Sequence, residues 1–133
     1  MHGTTRQPLT AYLMITAARA VGWLGVVAIT VLSLVPGSFR PHVLAVSQFE
    51  HVAAYALTAV ALVLGYPGRR APRTIVLLLT FYAALMELAQ LFIPGRNASL
   101  IDIAAGGLGA GIGAMLVLLL RRTRCEPPGA GPT

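Results

Sequence analysis

Four apolar runs, each about the length needed to cross a bilayer, lie at roughly 17–35, 49–66, 74–93 and 99–120, separated by short stretches of Pro, Gly and Arg. A helix needs about 20 predominantly apolar residues to span the hydrocarbon core. Inside that core every backbone N–H and C=O must find its partner within the segment, which makes the α-helix the solution for runs of this kind. The fold class that follows is all-α, a four-helix transmembrane bundle. Composition agrees where it bears on the point: 11% charged residues and a mean hydropathy of +0.77 do not fit a soluble domain, where about 25% are charged.

The first run is the weakest in its uncharged core, Ala20 to Val35. Arg19 can snorkel to the interface and extend it backwards, and Pro36-Gly37 ends it. Residues Ala11 to Ala18 either continue this helix or lie in the interface. A basic residue before an apolar run also begins a signal peptide, but this run starts late and no clear small-x-small cleavage site follows it before Pro36, so it reads as an uncleaved span. Residues 1–16 then form an N-terminal cytoplasmic or interfacial segment, and 17–122 the membrane domain. Residues 123–133 form a disordered cytoplasmic tail, because Glu126-Pro127-Pro128-Gly129-Ala130-Gly131-Pro132-Thr133 has no apolar periodicity.

The ten basic residues are all arginine. With four spans, the N-terminus, the second loop and the C-terminus share one side and carry Arg6, Arg19, Arg69, Arg70, Arg73, Arg121, Arg122 and Arg124. The other side has only Arg40 and Arg96. This asymmetry is a positive-inside signal and directs both termini to the cytoplasm; a reporter fused after Arg124 is expected to stay cytoplasmic, and activity outside the cell would reverse the assignment. The net charge of +6 is thus accounted for by topology. No basic stripe interleaved with aromatics marks a nucleic-acid face, so the expected partner is the lipid bilayer. A single cysteine, Cys125, excludes an intramolecular disulfide and a cysteine-based zinc site.

Orientation fixes depth through the helical rise of about 1.5 Å per residue. Helix 2 enters from outside with Glu50, His51 and, one turn deeper, Tyr55. Helix 3 leaves shortly after Glu87 and Gln90. The turn Pro94-Gly95-Arg96-Asn97 is external, and helix 4 re-enters with Ser99 and Asp102. Residues three or four apart share a helix face, so helices 2, 3 and 4 can present these polar groups to one point near the outer leaflet. Ionisable residues there are costly and mark a site by default. Helix 4 also carries Gly106, Gly107, Gly109, Gly111 and Gly113, and small-xxx-small pairs such as Gly107/Gly111 let a neighbouring backbone approach closely.

The pattern Glu50-His51-x-x-Ala54-Tyr55, followed by Glu87-x-x-Gln90-x-x-x-Pro94-Gly95-Arg96-x-x-Ser99-x-x-Asp102 and a glycine-rich helix, resembles the VanZ-like family of small bacterial membrane proteins over about residues 30–120. Two departures stand out. Ser47 and Gln48 occupy positions where family members often carry Asp-Lys, and Gly106 stands where they often carry asparagine, so the outer cluster here is poorer in charge. The resemblance implies a cell-envelope setting and a link to low-level resistance to the glycopeptide teicoplanin; it implies no molecular activity.

Each polar residue has a structural account beside a functional one. Arg96 precedes helix 4, whose free N–H groups favour an anion, yet it can equally pair with Asp102 or Glu87 and pin the loop. Asp102 suits the helix dipole and Ser99 suits an N-cap. Tyr55 and Tyr82 can anchor a head group or belong to an interfacial aromatic belt. His51 as a metal ligand needs Glu50, Glu87 or Asp102 beside it, one nitrogen with two or three carboxylates; no metal and no cofactor is assigned. The leading expectation is a pocket that binds an anionic envelope lipid, a cell-wall precursor or a glycopeptide-related ligand through Arg96, Ser99, Asp102, Glu87, Gln90, His51, Tyr55 and Glu50. One alternative is an intramembrane enzyme acting on an envelope lipid, with Glu87, Asp102 and His51 as catalytic groups. The other is a structural or transport-accessory subunit.

Overall fold

The computed structural model describes residues 6–36 and 47–124. They form four α-helices: α1 (Arg6–Leu34), α2 (Ser47–Gly65), α3 (Ala71–Gln90) and α4 (Leu100–Arg124). All four are long and apolar enough to cross a membrane. Residues Ala11 to Ala18 continue α1, whose apolar stretch runs over Leu9–Leu34. No Gly or Pro interrupts the chain between Leu9 and Val21, so nothing stops the helix from propagating backwards. Pro72 sits in the first turn of α3, where its missing N–H costs nothing. At the other end α4 stays helical through Arg124, two residues into the stretch read as a tail. Arg40, Cys125 and the rest of that tail lie outside the described residues.

The helices alternate in direction, and α2 is wedged between α1 and α4, with α3 packed chiefly on α4. Small residues set these distances. Along the antiparallel α1–α2 seam, Gly22 faces Leu62 and Gly25 faces Thr58. Where α2 and α4 run side by side in the same direction, a Cβ on Gly109 would stand 2.3 Å from the Val52 carbonyl oxygen, and one on Gly113 would stand 2.3 Å from that of Ala56. The closest pair of the glycine-rich helix is therefore Gly109/Gly113 and not Gly107/Gly111. A Cβ on Gly107 would meet Thr80 at 3.2 Å, and Gly111 faces open space. Gly106 also has a steric reason to be glycine, since Ala83 and the Tyr55 ring fill the volume a side chain would take.

The core these contacts enclose is narrow, with Tyr55, Ala59, Val63, Leu79, Ala110 and Val117 at its centre. Outside it, large apolar side chains face away from the protein: Leu78 is 61% and Phe81 63% exposed. Patches of this extent do not suit water. They suit a lipid surround, in which a helix can be apolar on every face.

The two ends of the bundle differ. At one, Arg19 Nε donates to the Gly65 carbonyl at 2.7 Å and Arg121 Nη2 donates to the Val63 carbonyl at 2.8 Å. The last turn of α2 has carbonyls with no intrahelical donor, and these two arginines satisfy them. The Arg19 guanidinium also lies 4.8 Å from the centre of the Tyr66 ring, whose hydroxyl accepts from Trp23 Nε1. The opposite end holds the polar residues singled out above.

Candidate functional site

That end is organised by the turn between α3 and α4. The Arg96 N–H donates to the Ile93 carbonyl at 3.2 Å, and Gly95 has φ 77°. Pro94 then Gly95 in the two central positions is the residue order of a type II turn, in which the second must adopt positive φ. The turn directs Arg96 sideways to α1. There Arg96 Nη2 donates to the carbonyls of Leu32 at 2.9 Å and Ser33 at 2.7 Å. Leu32 needs this donor because the residue four further on is Pro36, which has no N–H. Gln90 Nε2 donates to the same Ser33 carbonyl at 3.3 Å. Arg96 thus pins the loop, and it does so on the backbone of α1.

Arg96→Ala is therefore expected to lower stability by about 2 kcal/mol, the usual loss for a hydrogen bond from a charged donor. Thermal denaturation in detergent reads it; an unchanged midpoint would show that the α1 carbonyls are satisfied without the guanidinium.

Glu87 is 4% exposed, and its Oε2 accepts from the Ser99 N–H at 2.7 Å. Ser99 stands at the N-cap position of α4, and its carbonyl accepts from the N–H groups of Asp102 and Ile103. In a Ser-x-x-acid capping box the acid three residues into the helix would reach back to the cap's own N–H. Here Glu87 from α3 fills that role and places its negative charge at the positive end of the α4 dipole. Asp102, displaced from the cap, keeps a buried Oδ1 with no hydrogen-bond partner among the described residues.

His51, Glu87 and Asp102 come together across three helices, each offering one ligand atom, all within 4.8 Å of one another. Glu50 lies outside this group and is exposed, but it shares a cavity of about 60 Å³ with His51, Tyr55 and Ser33. A larger cleft of about 360 Å³ opens between α3 and α4, lined by Glu87, Ser99 and apolar side chains including Leu91 and Ile103. Tyr55 is 2% exposed and packs its ring 6.5 Å from that of Tyr82. The Tyr82 hydroxyl bonds that of Thr30 and donates to the Val26 carbonyl. Both tyrosines therefore serve the packing of α1, α2 and α3, with Tyr55 forming the floor beneath His51, instead of sitting in an interfacial belt.

From the sequence this end of the bundle belongs to helices 2, 3 and 4, and the share of α1 is visible only in the structure. Ser33 is 6% exposed and contributes a backbone carbonyl, so no residue type advertises it. Pro36 was the available signal, because it leaves the Leu32 carbonyl without its helical donor.

The VanZ/LLP1 family model matches residues 8–121. No curated protein and no solved structure matches the chain.

Proposed function

The chain belongs to the VanZ/LLP1 family, and from that premise we propose that this multi-pass membrane protein recognises the head group of an anionic cell-envelope component. The class includes a phospholipid, a lipid-linked cell-wall precursor or a glycopeptide-related ligand. The observation that carries the reading is the convergence of His51, Glu87 and Asp102 beside the cleft between α3 and α4. Polar groups are expensive in an otherwise apolar bundle, and the cleft lies against α3 and α4 with apolar side chains around Glu87 and Ser99. The arginine asymmetry of the sequence supports a site at the outer leaflet of a bacterial plasma membrane, with both termini inside.

In this reading Glu87 and Ser99 meet the ligand where they line the cleft, His51 and Asp102 act through their place beside Glu87, and Arg96 and Gln90 hold the loop end against α1. Two carboxylates alone repel an anion, so recognition of this class needs a cation at the same point. Titration of the purified protein with short-chain phosphatidylglycerol and with a polyprenyl phosphate, read as thermal protection, is expected to give a rise that Asp102→Asn and His51→Ala remove. Equal protection of all three proteins would end the reading.

The same convergence supports a second reading, an intramembrane enzyme acting on an envelope lipid head group. A histidine and two carboxylates within reach of one another are a general acid–base set. Turnover lost in Glu87→Gln with lipid protection retained would select the enzyme; protection without turnover of phospholipid or polyprenyl substrates would select recognition.

A further inference from the structure

We infer that His51, Glu87 and Asp102 form a binding site for one divalent transition-series cation, Zn²⁺ or Mn²⁺. Three observations converge on it. The first is distance: three ligand atoms lie within 4.8 Å of one another, and bonds of about 2.0–2.2 Å to imidazole nitrogen or carboxylate oxygen put ligands of one ion at most slightly over 4 Å apart, so a small inward rotation of the side chains would close the set on a single ion. The second is the exchange at the α4 cap. Because Glu87 takes the Ser99 N–H at 2.7 Å, Asp102 is released from the local role its position would give it. Its buried Oδ1 then has no hydrogen-bond partner among the described residues. A buried carboxylate oxygen without a donor is costly, and a cation satisfies it. The third is charge: Glu87 and Asp102 bring two carboxylates to one point, and a divalent ion between them would replace their mutual repulsion with attraction to both.

Ligand chemistry selects the class. One imidazole nitrogen with two carboxylate oxygens suits zinc or manganese; calcium and magnesium prefer all-oxygen sets. Three protein ligands leave coordination positions open, and Glu87 and Ser99 line the cleft from which a further oxygen ligand would approach. The ion would supply positive charge for an anionic head group beside the cleft, while Arg96 Nη2 is engaged by the α1 carbonyls. The cation site itself stands on the cluster's geometry; only this last step rests on the proposed recognition of an anionic head group.

The test uses tag-free, metal-stripped full-length protein in detergent, titrated with Mn²⁺ and with Zn²⁺ alone. One ion per chain is expected, with affinity in His51→Ala and Asp102→Asn reduced by more than the ~10- to 100-fold that supporting residues around a metal usually contribute. Glu126→Gln, which removes the acid of the C-terminal tail, should bind as the unaltered chain does. No saturable binding, or binding indifferent to both ligand substitutions, overturns the site and leaves a histidine–carboxylate hydrogen-bonded triad. Should the variants fail to fold, electron spin-echo modulation of Mn²⁺ on the unaltered protein decides. A nitrogen coupling that changes on ¹⁵N-histidine labelling supports the site, and its absence overturns it. Cation binding without protection by anionic lipid retires the head-group reading and keeps the metal site; lipid protection of the metal-stripped protein with no cation binding does the reverse.

Discussion

Gly109→Ala and Gly113→Ala are each expected to destabilise the bundle by about 1–3 kcal/mol, the usual cost of forcing extra volume into a packed interior, and the pair together should separate α2 from α4. The new methyl groups would arrive 2.3 Å from the carbonyl oxygens of Val52 and Ala56. Those oxygens belong to helical backbone and cannot swing aside as a side chain would, so the helices must move apart. Helix association in a bilayer depends on close packing, since lipid is as apolar as the buried face. Every van der Waals contact along the seam weakens with that movement. Gly111→Ala is the matched control. It faces open space, lies between the two sensitive positions and, with a better helix former in place, should be neutral or slightly stabilising. Unfolding midpoints in a mild detergent and denaturant series would show the pattern, and equal sensitivity at all three glycines would contradict the α2–α4 register.

Glu87→Ala should be the most damaging change at the polar end. It leaves the Ser99 N–H without the acceptor it now has at 2.7 Å and opens a void where a 4%-exposed side chain stood. An unmade buried hydrogen bond costs about 1–3 kcal/mol, and the void adds to it, for a total of about 2–4 kcal/mol. Glu87→Gln keeps both the volume and an acceptor oxygen, so it should retain most of the stability while removing the charge. A comparison of the two variants separates capping from ion binding: alanine loses both fold stability and cation affinity, glutamine loses chiefly the affinity. If glutamine proved as unstable as alanine, the charge itself, and not the hydrogen bond, would be what holds α4 in place.

Much of this architecture was legible in the residues because the bilayer allows few alternatives. Once each apolar run must satisfy its own backbone, length and punctuation give four helices, and alternation of direction brings residues 50–55, 87–90 and 99–102 to one end. The convergence of His51, Glu87 and Asp102 therefore follows from depth and helix face. What could not be read was lateral order. Nothing in the composition of α2 says that it lies between α1 and α4, and an apolar stripe looks the same whether it meets protein or lipid. For the same reason the glycine register was displaced by two residues, from 107/111 to 109/113. Both pairs have the required spacing, and only the direction of the α2 face distinguishes them. Partners made of backbone were hidden as well. From the sequence Arg96 has acidic side chains as its candidate partners, whereas the structure shows its Nη2 on the carbonyls of Leu32 and Ser33, and the acid that accepts from the Ser99 N–H comes from α3, as Glu87.

The wedged position of α2 also bears on how the protein is made. A ribosome delivers the helices in numerical order, but the face of α2 that carries the Val52 and Ala56 carbonyls is covered by α4, the last to emerge, while α3 touches α2 only lightly. The cluster draws one residue from each of α2, α3 and α4, and the cap on Ser99 joins the last two. No partly synthesised chain can therefore contain the cluster: it comes into existence only when the fourth helix has been inserted, so any ligand that needs all three side chains is excluded from the membrane-insertion intermediate.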